Sequence, residues 1–345
     1  MTERERFEEH IIASYTRIPW KYESDILSLQ MIFDHDYGPK FFYVVKLSNN
    51  GHLDWNCEEW SEWFGILSSY SDYVRAVCNI FSVLYGKVFE YVGKLKDSDT
   101  YYTVNFNQPV LNYSYLPWNT QDLRIDYREE LNLTKLGRVF DELITKFLAN
   151  DEKIIILSHI AAFYKKWIVN AELDSEISYI DFIRTIEVYN SYYQVWWSGS
   201  EVFDWELKQL WEKIAWDEEL ETIFMRYHWS TKKFINTILS FIPSESDFWS
   251  QTESKWEDFS LPKILNREKS LKKTYAVRSE YLHEWVSMWG CILPDKEGLN
   301  ETVNAEPVYK TSIKSWVTLS LLWLERVVRR VLLEHIRNQS ILTDW

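Results

Sequence analysis

The spacing of apolar residues changes partway along this chain. KFFYVVKLS (40–48) is almost continuously apolar and rich in aromatic and β-branched residues, and the turn signal NNGH follows it, so a strand is expected there. TYYTVNFNQPVLNYSYL (100–116) alternates aromatic and polar residues over two strand lengths, broken at Pro109. Between them, residues 60–92 carry apolar side chains at three- and four-residue steps and read as helix. Beyond residue 130 the helical period takes over: 133–149, 152–172 and 177–197 follow one another with short polar joints, until SGS at 198–200 breaks the run. Two further helical stretches (203–226 and 230–241) end at Pro243, and a polar loop spans 244–260. Pro262 opens a helix running to Gly290, a loop spans 294–307, and 309–339 reads as one long final helix.

The fold class expected from this pattern is an α+β N-terminal domain over 1–150, then an all-α domain over 151–345. In the second domain, helices at 152–172, 177–197, 262–290 and 309–339 suit a four-helix bundle, with a helical insertion at about 200–260. The last helix is apolar at Ile313, Trp316, Val317, Leu321, Leu324, Val327, Val328, Val331 and Leu332, a stripe wider than one neighbour usually covers. Part of that stripe is therefore expected to be exposed in a single copy and to make a homodimer through the C-terminal bundle.

Composition narrows the classes. Only 9 Gly and 8 Pro punctuate 345 residues, which argues for long helices over a turn-rich all-β fold. MTERERFEEH at the start is too charged for a signal peptide, and the best apolar run, 316–324, is too short for a membrane span. Cys57, Cys78 and Cys291 are odd in number and widely separated, so neither a disulfide framework nor a thiolate metal site is implied. A cytoplasmic protein with no membrane contact, no metal and no cofactor is expected. DHDYGP at 34–39 reads as a turn in preference to a metal site. Trp55, Trp60, Trp63, Trp196 and Trp197 read as packing in preference to a ligand platform, and His159 as a core or interface histidine.

The net charge of −14 hides an asymmetry. Residues 201–221 hold eight acids against two lysines and read as a solvated face, whereas 262–283 hold six cations against two acids, and 309–338 repeat that balance. The two basic segments are C-terminal, a local electrostatic footprint on an acidic chain. In the first of them, KKTYAVRSEYLHEW (272–285) sets Arg278 and His283 five residues apart. On a helix they lie about 140° apart around the axis, whereas Ser279 and His283, at i and i+4, share a face. The spacing alone fits a solvent-facing polar pair as well as a site, since Arg4 with His10 and Arg329 or Arg330 with His335 match it too.

The context separates them. KKTYAVRSEYLHEW resembles the signature helix of HEPN domains, with Arg, a small polar residue, three spacers and His. Within that superfamily it is most similar to the ApeA-like group of bacterial defence proteins. RTIEVYNSYY (184–193) resembles the acid-bearing second helix of the family, and 78–92 and 140–160 resemble the close of its mixed N-terminal domain. One departure is Glu284, where the family commonly has glycine.

The resemblance implies a metal-independent endoribonuclease acting as an antiviral, abortive-infection effector. RNA brings its own nucleophile, the 2′-OH; His283 would move protons near neutrality, Arg278 would hold the phosphate, and Ser279 would position one of them. Lys272, Lys273, Arg329 and Arg330 would contact RNA, and His335 reads as a basic flank of the last helix or a supporting phosphate contact. The implied partners are the RNA substrate, a second copy completing a composite cleft, and a phage-derived or regulatory protein as trigger, with the N-terminal domain as sensor. The alternative is a catalytically inactive HEPN-fold scaffold that dimerises and binds a partner protein or ligand; the acidic charge and Glu284 favour it.

Overall fold

A nine-residue strand, β1 (Arg6–Ser14), organises the N-terminal half of the computed structural model. It pairs antiparallel with β4 (Phe41–Asn49) on one side and β5 (Phe89–Asp97) on the other, with register shifts at Glu9/His10 and Ile11/Ile12 against β5. With β2 (Lys21–Glu23), β3 (Leu27–Phe33) and the short β6 (Thr100–Tyr101), they form a sheet ordered β2-β3-β4-β1-β5-β6, antiparallel throughout. The structure describes residues 6–18, 21–33, 40–49, 69–97, 100–104, 133–171, 173–193, 218–243, 267–284, 308–310, 317–319 and 321–342. The side chains of 6, 218–229, 280, 283–284, 308–310, 317–319 and 322 lie outside the described set.

The period-two alternation of the strands divides the sheet's faces. Ile12, Leu29, Tyr43, Val45 and Leu47 join the main core, whereas Ile11, Ala13 and Phe42 form a second small cluster on the opposite face. Against the first face lie α1 (Tyr70–Tyr85) and α2 (Leu133–Leu148). Ser69 caps α1 by accepting from the Asp72 amide, and Gly86 ends it in the left-handed region at φ 59°, a conformation glycine adopts without a Cβ clash. That stop corrects the helix expected over 60–92: the chain leaves α1 at Gly86 and enters β5, where Phe89, Tyr91 and Val92 suit a strand. In α2, Gly137 admits the Tyr22 ring from β2 so closely that a Cβ there would lie 2.1 Å from Tyr22 Cγ.

The helical region continues with α3 (Glu152–Asn170), α4 (Ser175–Tyr193), α5 (Glu218–Phe241), α6 (Arg267–Glu284) and α7 (Leu321–Asn338), giving seven helices among the described residues. Asp151 caps α3 by accepting from the Lys153 amide. α4 is the common partner, touching α3, α5, α6 and α7. α5 runs unbroken through the expected gap at 227–229. It buries Phe234, Ile235 and Ile238, so within the expected insertion it is a packed member of the helical region.

The all-α expectation is corrected by β7 (Val308–Lys310) and β8 (Val317–Leu319), an antiparallel pair where a helix beginning at 309 was expected; β8 packs against α6. VYK and VTL are short and carry β-branched or aromatic residues, which favour a strand once a partner strand is present. The exposed stripe expected on the last helix is also corrected. Leu321, Leu324, Val327, Val328, Val331 and Leu332 are all fully buried within one copy, because α7 sits among α4, α5 and α1. Ile313 and Trp316, and the side chain of Val317, lie outside the described residues. Among the described residues the main core cluster runs from Ile12 of β1 to Leu342.

Candidate functional site

The stripe Leu271, Thr274, Tyr275 and Val277 buries one side of α6, while Lys272 stays exposed and Lys273 partly so. This three- and four-residue repeat turns Tyr275 and Arg278 toward α4. There Arg278 Nη2 donates to Glu187 Oε2 at 2.9 Å, and the Tyr275 hydroxyl donates to Glu187 Oε1 at 2.6 Å. The Tyr275 ring also lies beneath the guanidinium, 5.3 Å from its centroid to Arg278 Cζ. One carboxylate thus holds two residues of the opposite helix, which fixes the rotation of α6 against α4.

The electrostatics follow the burial. Arg278 and Glu187 are 18% and 28% exposed, so their pairing is only partly screened. Burial first, then the hydrogen bond and charge of Glu187, raise the Tyr275 phenol well above its ordinary range, so it remains a donor. The Nε–H of Arg278 is buried with no hydrogen-bond partner. Phe234 of α5 packs against the Tyr275 ring at 5.4 Å between centroids, closing the site from a third helix.

His283 follows on α6 and Ser279 is partly buried there; the side chains of His283 and Glu284 lie outside the described set. The structure therefore brings together Arg278, Tyr275 and Glu187. Of these, neither Tyr275 nor Glu187 was singled out in the sequence, although the place of Tyr275 three residues before Arg278 on a helix is the signal that finds it.

The second basic segment is used differently from expectation. Arg329 is buried, and its guanidinium donates to the carbonyls of Val83 and Leu84 at 2.7 Å each, at the C-terminal end of α1. The expected phosphate contact at Arg329 is corrected accordingly: its guanidinium is enclosed in the core, bonded to backbone. Arg330 is 40% exposed and pairs with Glu334 at 2.6 Å.

His335 is likewise no basic flank. It is buried among Tyr189, Tyr193 and Phe241, with ring centroids 5.1, 4.2 and 6.3 Å away, and its Nδ1 lies 2.9 Å from the Tyr189 hydroxyl. Burial lowers its pKa to about 4, so it is a neutral aromatic member of the core at physiological pH. His159 is half-buried beside Tyr192, and desolvation lowers its pKa.

The DHDYGP turn, the five tryptophans considered as a platform, Cys57, Cys291 and the side chains of the acidic run at 201–221 lie outside the described residues. Cys78 is buried, which pushes its thiol up to about 12. No helix among the described residues is long and apolar enough to cross a membrane. No family model, curated protein or solved structure matches this chain.

Proposed function

We propose that this chain is a metal-independent endoribonuclease of HEPN type, an antiviral effector of the abortive-infection kind, with Arg278 and His283 as its catalytic pair. The observation that carries the reading is the Glu187–Arg278–Tyr275 cluster. The acid from the segment resembling the family's acid-bearing helix meets the arginine of the Arg-Ser-x-x-x-His run across a helix–helix contact. Arg278 retains a buried Nε–H without an acceptor, a donor suited to a phosphate oxygen.

In the proposed reaction the RNA 2′-oxygen forms a bond to the adjacent phosphorus and the P–O5′ bond breaks. His283 takes the 2′-OH proton, and a proton passes to the departing O5′, leaving a 2′,3′-cyclic phosphate and a free 5′-hydroxyl. Arg278 stabilises the charge that accumulates on the phosphoryl oxygens, Ser279 helps position the phosphate, and exposed Lys272 with Lys273 contacts the flanking backbone. A second copy docking through the C-terminal helices would set two such pairs across a two-fold axis, and a phage-derived or regulatory protein would trigger the cut.

Expression of the wild type beside His283→Ala in growing cells, with total RNA resolved for fragments, tests the reading. Fragments ending in cyclic phosphate, formed in the presence of EDTA and reduced roughly 10²–10⁴-fold by the substitution, are expected. Equal cleavage by both proteins removes the assignment. Intact RNA in both, under a triggering infection, selects the second reading: an inactive scaffold of the same fold. The Glu187 carboxylate already neutralising Arg278 is the observation that favours that alternative.

A further inference from the structure

We propose that the outer face of the N-terminal sheet, at the end where β1 begins and the β5–β6 hairpin turns, is a binding platform for single-stranded nucleic acid. The inference does not rest on the nuclease reading; it starts from strand register. Ser28 of β3 pairs with Lys46 of β4, Lys46 with Glu9 of β1, Glu9 with Lys96 of β5, and Lys96 with Tyr101 of β6. Directly paired residues point to the same face, and Glu9 shares its face with Ile11 and Ala13, away from α1 and α2. Phe7, two residues before Glu9, lies on that face as well.

The side chains interleave. Lys46 Nζ lies 4.0 Å and Lys96 Nζ 4.8 Å from the Phe7 ring centroid, and Lys96 Nζ lies 4.7 Å from that of Tyr101. Lys94, which pairs with His10 and bonds to Glu8, belongs to the opposite face, so Tyr102, 5.7 Å from its Nζ, is not counted in this row. From β4 to β6 this alternation of cation and ring spans three strand spacings, about 14 Å, longer than a single nucleotide contact needs. Tyr101 is 72% exposed and Tyr102 44%, the two largest aromatic exposures outside the helices among the described residues.

Lysines held beside exposed rings keep cationic heads at the rim. An unpaired base offers a π-face to such a ring at any sequence, while its phosphates meet the amines. A duplex hides its base faces and would use only the lysines. The acids narrow the choice further: Glu8 and Asp97 engage Lys94, and Glu9 stands between Lys46 and Lys96 in register. Lys46 and Lys96, which share the outer face with Phe7 and Tyr101, are the amines assigned to phosphate, and Glu9 is expected to weaken the contact.

Fluorescence anisotropy of the full chain with labelled dT12 and rU12, measured across a salt series, tests this. The 2′-deoxy strand excludes cleavage from the signal, and comparison of the two separates a DNA from an RNA preference. Tyr101→Ala is expected to weaken binding at least roughly fivefold. Lys46→Gln/Lys96→Gln should lower affinity and flatten the log–log salt slope by about 0.7 per lysine, and Glu9→Gln should tighten binding. Thermal melts confirm that each surface variant is folded, and the lysine pair stands in if the tyrosine variant is not. No binding at low salt, equal binding of the tyrosine variant, or tighter binding of a blunt duplex than of dT12 each overturns the proposal.

Discussion

Arg329 of α7 closes the C-terminal end of α1: its Nε donates to the Val83 carbonyl and its Nη2 to that of Leu84, 2.7 Å each. The last four carbonyls of a helix lack intrahelical donors and carry its partial negative charge, so a buried guanidinium there satisfies two needs at once. The contact also ties the N-terminal half to the final helix, across 246 residues of sequence.

Replacing Arg329 by Met keeps much of its apolar stem and leaves those carbonyls without their donor. A loss of about 2–4 kcal/mol is expected from urea midpoints, more than a surface substitution produces. Arg329→Lys supplies one point charge instead of a fork and is expected to recover only part of the loss. A change within about 0.5 kcal/mol for the Met variant would show the cap to be energetically idle.

Glu187 is expected to couple to both of its α6 partners. In a double-mutant cycle over Glu187→Gln and Arg278→Met, the interaction term should be roughly 1 kcal/mol, since both groups are largely sheltered from solvent. Tyr275→Phe should cost a similar amount by leaving Glu187 Oε1 without its donor. Effects additive within about 0.3 kcal/mol would mean that the cluster does not hold α6 against α4.

How much of this could be read before the fold was known depends on the range of the interaction. α3 and α4 begin within two residues of where the helical period starts them, and β4 lies one residue from its expected span, because each signal is local. β1 was missed: RFEEHIIAS carries three charged side chains and a histidine, and only its central place between β4 and β5 shows why it extends. The break between α1 and β5 was written in Gly86 but concealed by the apolar residues continuing past it. Glu187 lies in the segment noted as acid-bearing, but its pairing with Arg278, like the use of Arg329 as a cap and of His335 as core, depends on tertiary neighbours absent from any local window. The width of the α7 stripe was read correctly; its cause was not, since three helices of the same copy cover it.

Gly137→Ala is expected to destabilise despite alanine's better helix propensity. The new Cβ would stand 2.1 Å from Tyr22 Cγ and 2.6 Å from Tyr22 Cβ, so the tyrosine would have to move from its root and strain its bond to Asp141. Overpacking of this kind costs about 1–3 kcal/mol, against a propensity gain of up to about 1 kcal/mol. In a Tyr22→Gly background the clashing atoms, Cβ included, are absent and the sign should reverse. Urea unfolding of the four proteins checks both halves, and a destabilising Gly137→Ala in both backgrounds would place the conflict elsewhere.

His335 gives the fold an acid-sensitive joint. Its folded pKa is lowered to about 4 by burial, while in the unfolded chain it titrates near 6.5. Between those values the unfolded state binds the proton and the folded state does not, so stability is complete above about pH 6.5 and declines as pH falls toward 4. From pH 7 to pH 5 the loss attributable to this residue should be roughly 2 kcal/mol, at about 1.36 kcal/mol per unit. His335→Phe keeps an aromatic ring among Tyr189, Tyr193 and Phe241 and removes the titration, at the cost of the Tyr189 hydrogen bond. The variant should be somewhat less stable at pH 7 and should lose less on acidification, so that the two stability profiles converge or cross near pH 5. Every other titrating group is common to both proteins, so the difference between the profiles isolates His335. Parallel profiles across that range would mean that its ring is protonated in the folded state at the same pH as in water.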